Sequence, residues 1–331
     1  QMYHEALKIN NKEYALNALD DIIAEEVNIL NKDSLSKYIN CIKKIVSPEE
    51  FQSLLPQYHM RIFEAQSFSD QKDEAIEKEL DLMNSKENTS NIYKEIATTY
   101  TVGTSFYANQ KHKEASPYLE KSLKLAESLP ANVKSKYQKR IMWKLSMAYA
   151  KSDRRREAVQ LIKELINMVE QEYKRDYQKQ RPFYNIGSYR IQYYSFLISN
   201  LDILTPEEEN YYWKRILQIG KNLTNDFDKY NYYLCANNYY TNSRTHKDLS
   251  KAIAANDTLI KFARTLAPQN LPGLLNTISQ LYEKQKDYPN ALKYYKNSHY
   301  IQDSLSTNDA RQQLNELQVK YDVNTLNNEK A

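Results

Sequence analysis

An aromatic residue recurs along this chain at steps of 43, 43, 44, 46 and 43 residues. The recurring residues are Phe63, Phe106, Tyr149, Tyr193, Tyr239 and Tyr282. Recurrence at such a period is typical of stacked supersecondary units, none of which can bury its apolar face without a neighbour. The sequence therefore predicts a repeat architecture, rather than the two ordinary domains that a length of 331 residues would suggest.

Three of these units share a stricter pattern around the aromatic residue. A small residue precedes the aromatic by three positions, and an alanine follows it by nine. We expect the small residue and the alanine to mark a close crossing of two helices, with the aromatic ring filling the wedge between them. The pattern comprises Gly103, Phe106 and Ala115, then Ser146, Tyr149 and Ala158, then Ser279, Tyr282 and Ala291.

Composition excludes several classes of fold and site. The 4 glycines are too few for turn-rich sandwiches or barrels, and they lie too far apart to form a GxGxxG or GxxxxGK[ST] phosphate loop. No apolar run reaches the ~18 residues that would span a bilayer. A net charge of +4 does not indicate nucleic acid as a partner. Residues 134–190 are locally basic, which fits either a solvated surface or a footprint for an acidic partner.

Helical periodicity and chain breakers predict seven helix pairs within residues 1–303, followed by a separate C-terminal helix in residues 304–331. Ser47 and Thr205 are the predicted N-caps of helices that begin with Pro48 and Pro206. The predicted pairs are 11–30/33–46, 48–68/71–84, 90–109/112–129, 133–151/154–172, 183–203/206–224, 228–242/247–267 and 271–285/288–303.

The small residue, aromatic and alanine have the relative positions found in the tetratricopeptide repeat, and the chain resembles that family. The resemblance implies an all-α fold, a right-handed superhelical solenoid of about seven helical hairpins whose first helices line a concave wall. The period departs from the ~34 residues of the family, which implies longer helices or loops. Repeats of the HEAT type run to ~40–47 residues and are the competing family, but the threefold pattern favours the first.

The same resemblance places ligands on the concave wall, at positions six and two before the aromatic and one after it. Exposed aromatic rings and a methionine there suit an apolar anchor on a peptide, glycan fragment or protein partner, and Arg140 adds a positive charge. The alternative is that these rings pack against the neighbouring repeat. The wall positions hold Tyr100, Thr104 and Tyr107, then Trp143, Met147 and Ala150, then Asn276, Gln280 and Glu283.

A second candidate group lies in the tyrosine-rich segment 173–240. Tyrosine combines a large apolar area with a polar tip, which suits a half-buried groove, although it also replaces phenylalanine in helix packing. We expect most of these tyrosines in the core and regard Tyr189, Tyr193 and Tyr194, beside Arg190, as the candidates for binding.

No constellation of residues indicates catalysis, a cofactor or a metal. The five histidines are scattered along the chain, and the motifs HExxH, GxSxG and CxxC do not occur. We therefore predict that the protein is not an enzyme and binds no cofactor.

Residues 310–326 have a strong helical pattern without a stop signal. Leu314, Leu317 and Tyr321 form one apolar stripe, and Val319, Val323 and Leu326 form another. The pattern predicts either a capping helix or a helix that continues as a dimer coil or into a membrane span.

A degenerate repeat array that ends in the sequence LNELQVKYD, residues 314–322, resembles the periplasmic sensor regions of Bacteroidetes membrane-bound regulators of the histidine kinase or helix-turn-helix type. The resemblance implies a non-catalytic sensor ectodomain that works in signal transduction on the periplasmic side of the inner membrane. It also implies a homodimer through the C-terminal helix, and membrane contact only through segments outside residues 1–331. The alternative is a free-standing cytoplasmic scaffold for protein–protein interaction.

Overall fold

The structure, a computed structural model, describes residues 15–16, 19, 32–51, 54, 56, 60, 92–178, 186–223 and 226–304. Within these ranges every regular element is a helix and no strand occurs, which confirms the all-α prediction. The predicted helix of residues 71–84, the aromatic Phe63 and the segment 305–331 lie outside the described residues.

The described helices follow the predicted bounds closely from residue 92 onwards. The largest differences are at α5, which continues six residues beyond its predicted end, and at α6, which stops five residues short of its own. In chain order the helices are α1 (Lys32–Ile45), α2 (Ile92–Ala108), α3 (His112–Ala126), α4 (Ala131–Lys151), α5 (Arg155–Gln178), α6 (Ile186–Ile198), α7 (Pro206–Gly220), α8 (Asp226–Asn242), α9 (Leu249–Leu266), α10 (Leu271–Lys284) and α11 (288–304).

The chain divides into two compact units, residues 1–193 and residues 194–331, with the boundary inside α6. In the first unit α2 packs against α3, α3 against α4 and α4 against α5, and α2 also contacts α4. In the second unit α7 packs against α8, α8 against α9 and α9 against α10. Among the described residues, no helix is long and apolar enough to cross a membrane.

Both predicted N-caps are confirmed. The Ser47 hydroxyl accepts a hydrogen bond of 3.2 Å from the backbone N–H of Glu50. Thr205 and Glu208 form a complete capping box at the start of α7, in which each side chain accepts from the other residue's backbone N–H. These bonds satisfy amide groups that the first turn of a helix leaves without partners.

The three units of the stricter pattern share one turn geometry. The fourth residue after each aromatic has a positive φ: 61° at Gln110, 62° at Asp153 and 64° at Lys286. A left-handed residue of this kind ends a helix and lets the chain reverse within three residues. The next backbone N–H then donates to the carbonyl of the aromatic residue, from Lys111 to Phe106 at 2.9 Å, from Arg154 to Tyr149 at 3.0 Å and from Asp287 to Tyr282 at 2.9 Å.

The helix crossings depend on the small residues, as the sequence predicted. A Cβ atom on Gly103 would lie 2.7 Å from Cγ of Leu119 and 3.2 Å from the carbonyl oxygen of Ala115. Since nonbonded carbon atoms do not approach so closely, only glycine allows α2 and α3 to pack at this distance. Ala115, Ala158 and Ala291 are all buried at these crossings.

The hairpin of α8 and α9 corrects one assignment in the repeat. The backbone N–H of Asp248 donates to the carbonyl of Tyr240 at 2.9 Å. Tyr240 is therefore the repeat aromatic, and the loop that follows it is three residues longer than in the stricter units. Tyr239, chosen from the sequence, is instead completely buried, with its ring stacked on Trp213 at a centroid distance of 4.2 Å.

Candidate functional site

The structure removes Tyr100 and Thr104 from the predicted binding wall. Both side chains are completely buried, contrary to the expectation of an exposed anchor, so a ligand in solvent does not reach them. The reason is that α2 packs against both α3 and α4. The Tyr93 ring of α2 lies 6.1 Å from the Tyr137 ring of α4, which shows the contact between these two first helices.

The other wall residues of the first unit remain partly accessible. Tyr107, Arg140, Trp143 and Met147 are half-buried, and so is Ala150. Lys144 joins the two helices, because its ammonium lies 5.4 Å above the centre of the Tyr107 ring. We call these four partly accessible side chains, Tyr107, Arg140, Trp143 and Met147, together with Lys144, which is only 8% exposed, the α2–α4 patch. It combines two aromatic rings, a methionine and two cations.

The edge of this patch has an unusual histidine. The His112 ring lies 4.9 Å from the Tyr107 ring, and its Nδ1 is buried without a hydrogen-bond partner. Burial, together with the nearby Lys151 charge, lowers the pKa of His112, although Glu114 opposes this effect. Burial likewise raises the pKa of Tyr107. Both side chains are therefore held in their neutral forms beside the cationic Lys144.

The wall positions of the last unit are chemically different. Asn276, Gln280 and Glu283 are all exposed along α10, and none of them is apolar. They lie in the second compact unit. The aromatic and methionine side chains that suit an anchor are therefore found on α2 and α4 rather than on α10.

The second candidate group is mostly buried. Tyr193 and Tyr194 are 5% and 1% exposed. Tyr193 contacts Trp143 at a ring distance of 5.2 Å. Arg190 is also buried and forms a two-bond ion pair with Glu170, at 2.8 and 3.2 Å, while its guanidinium lies 4.1 Å above the Tyr173 ring. Arg190 therefore packs α6 against α5 and Tyr193 packs α6 against α4, and these buried side chains do not line an open groove. The side chain of Tyr189 lies outside the described residues.

An open groove that the sequence analysis missed lies between α3 and α5, with α4 as its floor. Its volume is about 560 Å³, and Leu123, Leu145 and Leu161 contribute apolar surface. Its acidic residues outnumber its basic ones: Glu120, Glu127, Glu157 and Glu164 against Lys124 and Arg156. In each helix the two glutamates are seven residues apart, or two helical turns, and this spacing is a signal that the sequence did contain.

A hydrogen-bonded network joins three of the residues that line this groove, Glu120, Tyr149 and Glu157. The Tyr149 hydroxyl and the Arg154 guanidinium donate to the same carboxylate oxygen of Glu120, at 2.8 and 2.7 Å. Arg154 also lies 3.8 Å above the Tyr149 ring and pairs with Glu157. Burial, followed by the bond to Glu120, raises the pKa of Tyr149, while the bond from Arg154 lowers the pKa of Glu157. The aromatic residue of the repeat thus also orders polar groups on the surface.

A buried polar cluster occupies the second unit. Glu209 is four residues after the cap of α7, the position at which the stricter units have alanine, and it is 0% exposed. Its carboxylate accepts hydrogen bonds from Ser243 and, at 3.3 Å, from Thr245, and it lies 3.5 Å from the Arg244 guanidinium. Its partners all belong to the loop between α8 and α9. The cluster therefore anchors that loop to the start of α7.

The described ranges contain no group of three or more His, Cys, Asp or Glu side chains arranged to hold a metal ion. No protein-family model matches the sequence, and no curated protein matches it. Among solved structures, the chain is similar to the crystal structure of BtubC (BKLC) from P. vanneervenii, with 12% identity and a TM-score of 0.50. The alignment covers 74% of this chain and 92% of that chain. At this identity the similarity concerns the arrangement of helices alone.

Proposed function

We propose that this chain is a non-catalytic binding domain, a tetratricopeptide-like solenoid of about seven hairpins that recognises a peptide, a glycan fragment or a protein segment. The observation that carries the proposal is the same left-handed turn at Gln110, Asp153 and Lys286, each followed by a buried alanine crossing. Arrays of such units present extended surfaces of side chains, which are suited to binding rather than to enclosing a reaction.

The α2–α4 patch is the binding surface in this proposal. Trp143 and Tyr107 offer large, rigid rings, and the flexible Met147 adapts to the shape of a partner. Arg140 contributes positive charge at the surface, and the mostly buried Lys144 adds to it from its position over the Tyr107 ring. The partner segment that fits this chemistry has an apolar or aromatic anchor next to an acidic residue.

We further propose that the domain is the periplasmic sensor region of a membrane-anchored signalling or transcriptional regulator. The resemblance of residues 314–322 to that family supports this proposal. A ligand can transmit a signal only if it binds two states of the array with different affinity. The alternative is a free-standing scaffold, which holds a protein partner and transmits nothing.

Selection of a random-peptide phage library on the intact domain tests the binding surface. We expect the selected peptides to lose about 30-fold in affinity, close to 2 kcal/mol, when Trp143 and Tyr107 are both replaced by alanine. Tyr211→Ala is the matched control, because it removes a ring that is 58% exposed on α7, outside the patch. If the double variant binds the selected peptides with full affinity, the α2–α4 patch is not the binding surface.

Sequencing the gene on both sides of residues 1–331 separates the two cellular roles. An apolar stretch of ~20 residues after Ala331, followed by a kinase or DNA-binding region, is expected for the sensor. A stop codon soon after Ala331 would favour the scaffold.

A further inference from the structure

The last described helix, α11, exposes an apolar stripe. Tyr288, Leu292 and Tyr295 are 62%, 54% and 48% exposed, and His299 is exposed one turn further on. The spacings of four, three and four place these residues on one helix face. The His299 and Tyr295 rings touch edge to face at 4.5 Å, so the stripe is continuous at this end. We call these four residues the α11 stripe.

Equivalent positions are buried in two earlier second helices, α5 and α9, whereas in α3 Leu123 is half-buried and in α7 Leu217 is 36% exposed. Leu292, Tyr295 and His299 are five, eight and twelve positions after Asp287, the residue that precedes α11. The residues at the same three positions after Arg154, which precedes α5, and after Asp248, which precedes α9, are all buried. They are Val159, Ile162 and Ile166 in α5, and Ile253, Asn256 and Ile260 in α9.

In the second unit the covering element is the helix that follows in the chain. Ile253 and Ile260 of α9 belong to one core cluster with Leu274 and Leu275 of α10, which is separated from α9 by four residues. In the first unit α4 is likewise separated from α3 by four residues and packs against it. By analogy with these two pairs, we expect the cover of α11 to come from the residues next in sequence.

The sequence after α11 has the properties of such a cover. If the next helix starts at residue 310, residues 305–309 are left as a connection of similar length, and their Ser, Thr, Asn and Asp are residue types that begin helices. Leu314, Leu317 and Tyr321 then recur at spacings of three and four. The apolar face of Leu314, Leu317 and Tyr321 would thus pack against the α11 stripe, as the apolar faces of the preceding helices pack against one another.

We propose that the α11 stripe is the docking surface for residues 310–321 of the same chain, with Leu314, Leu317 and Tyr321 covering Leu292 and Tyr295. The docked segment closes the array and fixes the direction in which the chain leaves it. Val323 and Leu326, which lie beyond this contact, are not used by it. The inference does not rest on the sensor proposal, because it follows from the last hairpin and applies equally to a scaffold.

Hydrogen–deuterium exchange of the full chain tests the docking. A helix of this length is marginal in water by itself, so slow exchange in residues 310–321 requires a packing partner. We expect these amides to exchange at least about tenfold faster when Leu292 and Tyr295 are both replaced by lysine. The matched control is Asn297→Lys with Tyr300→Lys, which adds two lysines at exposed positions of α11 outside the stripe. The control should exchange as the unaltered chain does.

Three outcomes would overturn the proposal. Fast exchange of residues 310–321 in the unaltered chain would show that the segment does not dock. Slow exchange that survives in the stripe variant would place the segment on another surface. Slow exchange that disappears when the protein is diluted to the monomer would assign the stripe to a second copy of the chain instead.

Discussion

The hydroxyl of Ser279 in α10 donates a hydrogen bond of 2.7 Å to the backbone carbonyl of Ala291 in α11. Asn237 makes the same contact with Ala252 across the crossing of α8 and α9, at 3.0 Å. At these two crossings the small residue therefore does more than leave room for the second helix, because its polar side chain also bonds that helix directly. The Ser146 hydroxyl instead donates to the Trp143 carbonyl of its own helix, at 2.7 Å. At Gly103 the side chain is absent and the helices pack closely, and the hydrogen bond between α2 and α3 comes from the Ser122 hydroxyl, which donates to the Ile96 carbonyl at 2.9 Å.

Replacing Gly103 by alanine tests this packing. We expect the free energy of unfolding to fall by about 1–3 kcal/mol, because the new methyl group would overlap Leu119 and press on the Ala115 carbonyl. The intrinsic helix preference of alanine offsets only part of this cost. Urea unfolding followed by circular dichroism measures the change.

Gly273→Ala is the control for this variant. A Cβ atom on Gly273 would have nothing within 4 Å, so alanine there adds helix propensity without a clash. We expect it to stabilise the protein by about 0.5 kcal/mol. Equal destabilisation by the two substitutions would contradict the crossing argument.

Lys286→Gly tests the left-handed turn. At a φ of 64° the lysine side chain is strained, whereas glycine adopts this conformation freely. We expect the variant to be more stable by about 0.5–1 kcal/mol, measured by urea unfolding. The control is Gln285→Gly, at the preceding residue of the same turn. Gln285 has a φ of −81°, so glycine relieves no strain there and should destabilise the protein instead. A loss of stability in Lys286→Gly would show that the turn stores no strain.

The repeat was predictable because it depends on local spacing. A small residue, an aromatic and an alanine at fixed separations define a turn and a crossing that neighbouring residues complete by themselves. The predicted bounds of α10 and the predicted start of α11 therefore agree with the structure to within a residue. Tyr240 was missed because a loop three residues longer shifts the register, and an adjacent tyrosine satisfied the period equally well.

The burial of the wall residues was not predictable in the same way. Tyr100 and Trp143 hold equivalent positions in their repeats, but α4 covers α2, so only Trp143 remains partly accessible. Which rings are covered depends on how successive hairpins stack, and a pattern within one hairpin does not contain that information. The groove between α3 and α5 was not predicted for the same reason, since its glutamates come from two different hairpins.

The two cysteines should differ in reactivity. Burial raises the pKa of Cys235 to about 12, so at pH 8 this thiol stays protonated and unreactive. Cys41 is half-buried on α1. We expect iodoacetamide to label Cys41 in the native protein and both cysteines after denaturation, as read by peptide mass spectrometry. Rapid native labelling of Cys235 would mean that the core of α8 opens readily.

Glu209→Ala should release the loop between α8 and α9. The substitution removes the acceptor for Ser243 and Thr245, and we expect a cost of about 1–3 kcal/mol. Hydrogen exchange at the amides of Thr245 and His246, which donate to the Ser243 hydroxyl, should become faster. Lys214→Ala, at an exposed site further along α7, is the control and should leave these amides unchanged. Unchanged exchange in Glu209→Ala would show that the loop does not depend on the buried carboxylate.

The stability of the first unit should decrease as the pH falls, because of His112. Its pKa is lowered in the folded protein, first by burial and then by Lys151, relative to an unfolded value of about 6.5. At a pH above the unfolded pKa the imidazole ring is neutral in both the folded and the unfolded state, so it does not change the free energy of unfolding. Below it, the unfolded chain binds a proton that the folded chain resists, so the free energy of unfolding falls until the pH passes the folded pKa. Urea titrations between about pH 7.5 and about pH 5 measure this loss.

Two substitutions connect that loss to His112. In His112→Phe, which keeps a ring beside Tyr107 but cannot bind a proton, the decrease of stability in this pH range should be smaller than in the unaltered chain. In Lys151→Gln it should be reduced only in part, because burial is the larger cause of the lowered pKa. If His112→Phe loses as much stability as the unaltered chain, the loss does not come from His112. The buried, unpartnered Nδ1 would then accept a proton as readily in the folded state as in the unfolded one.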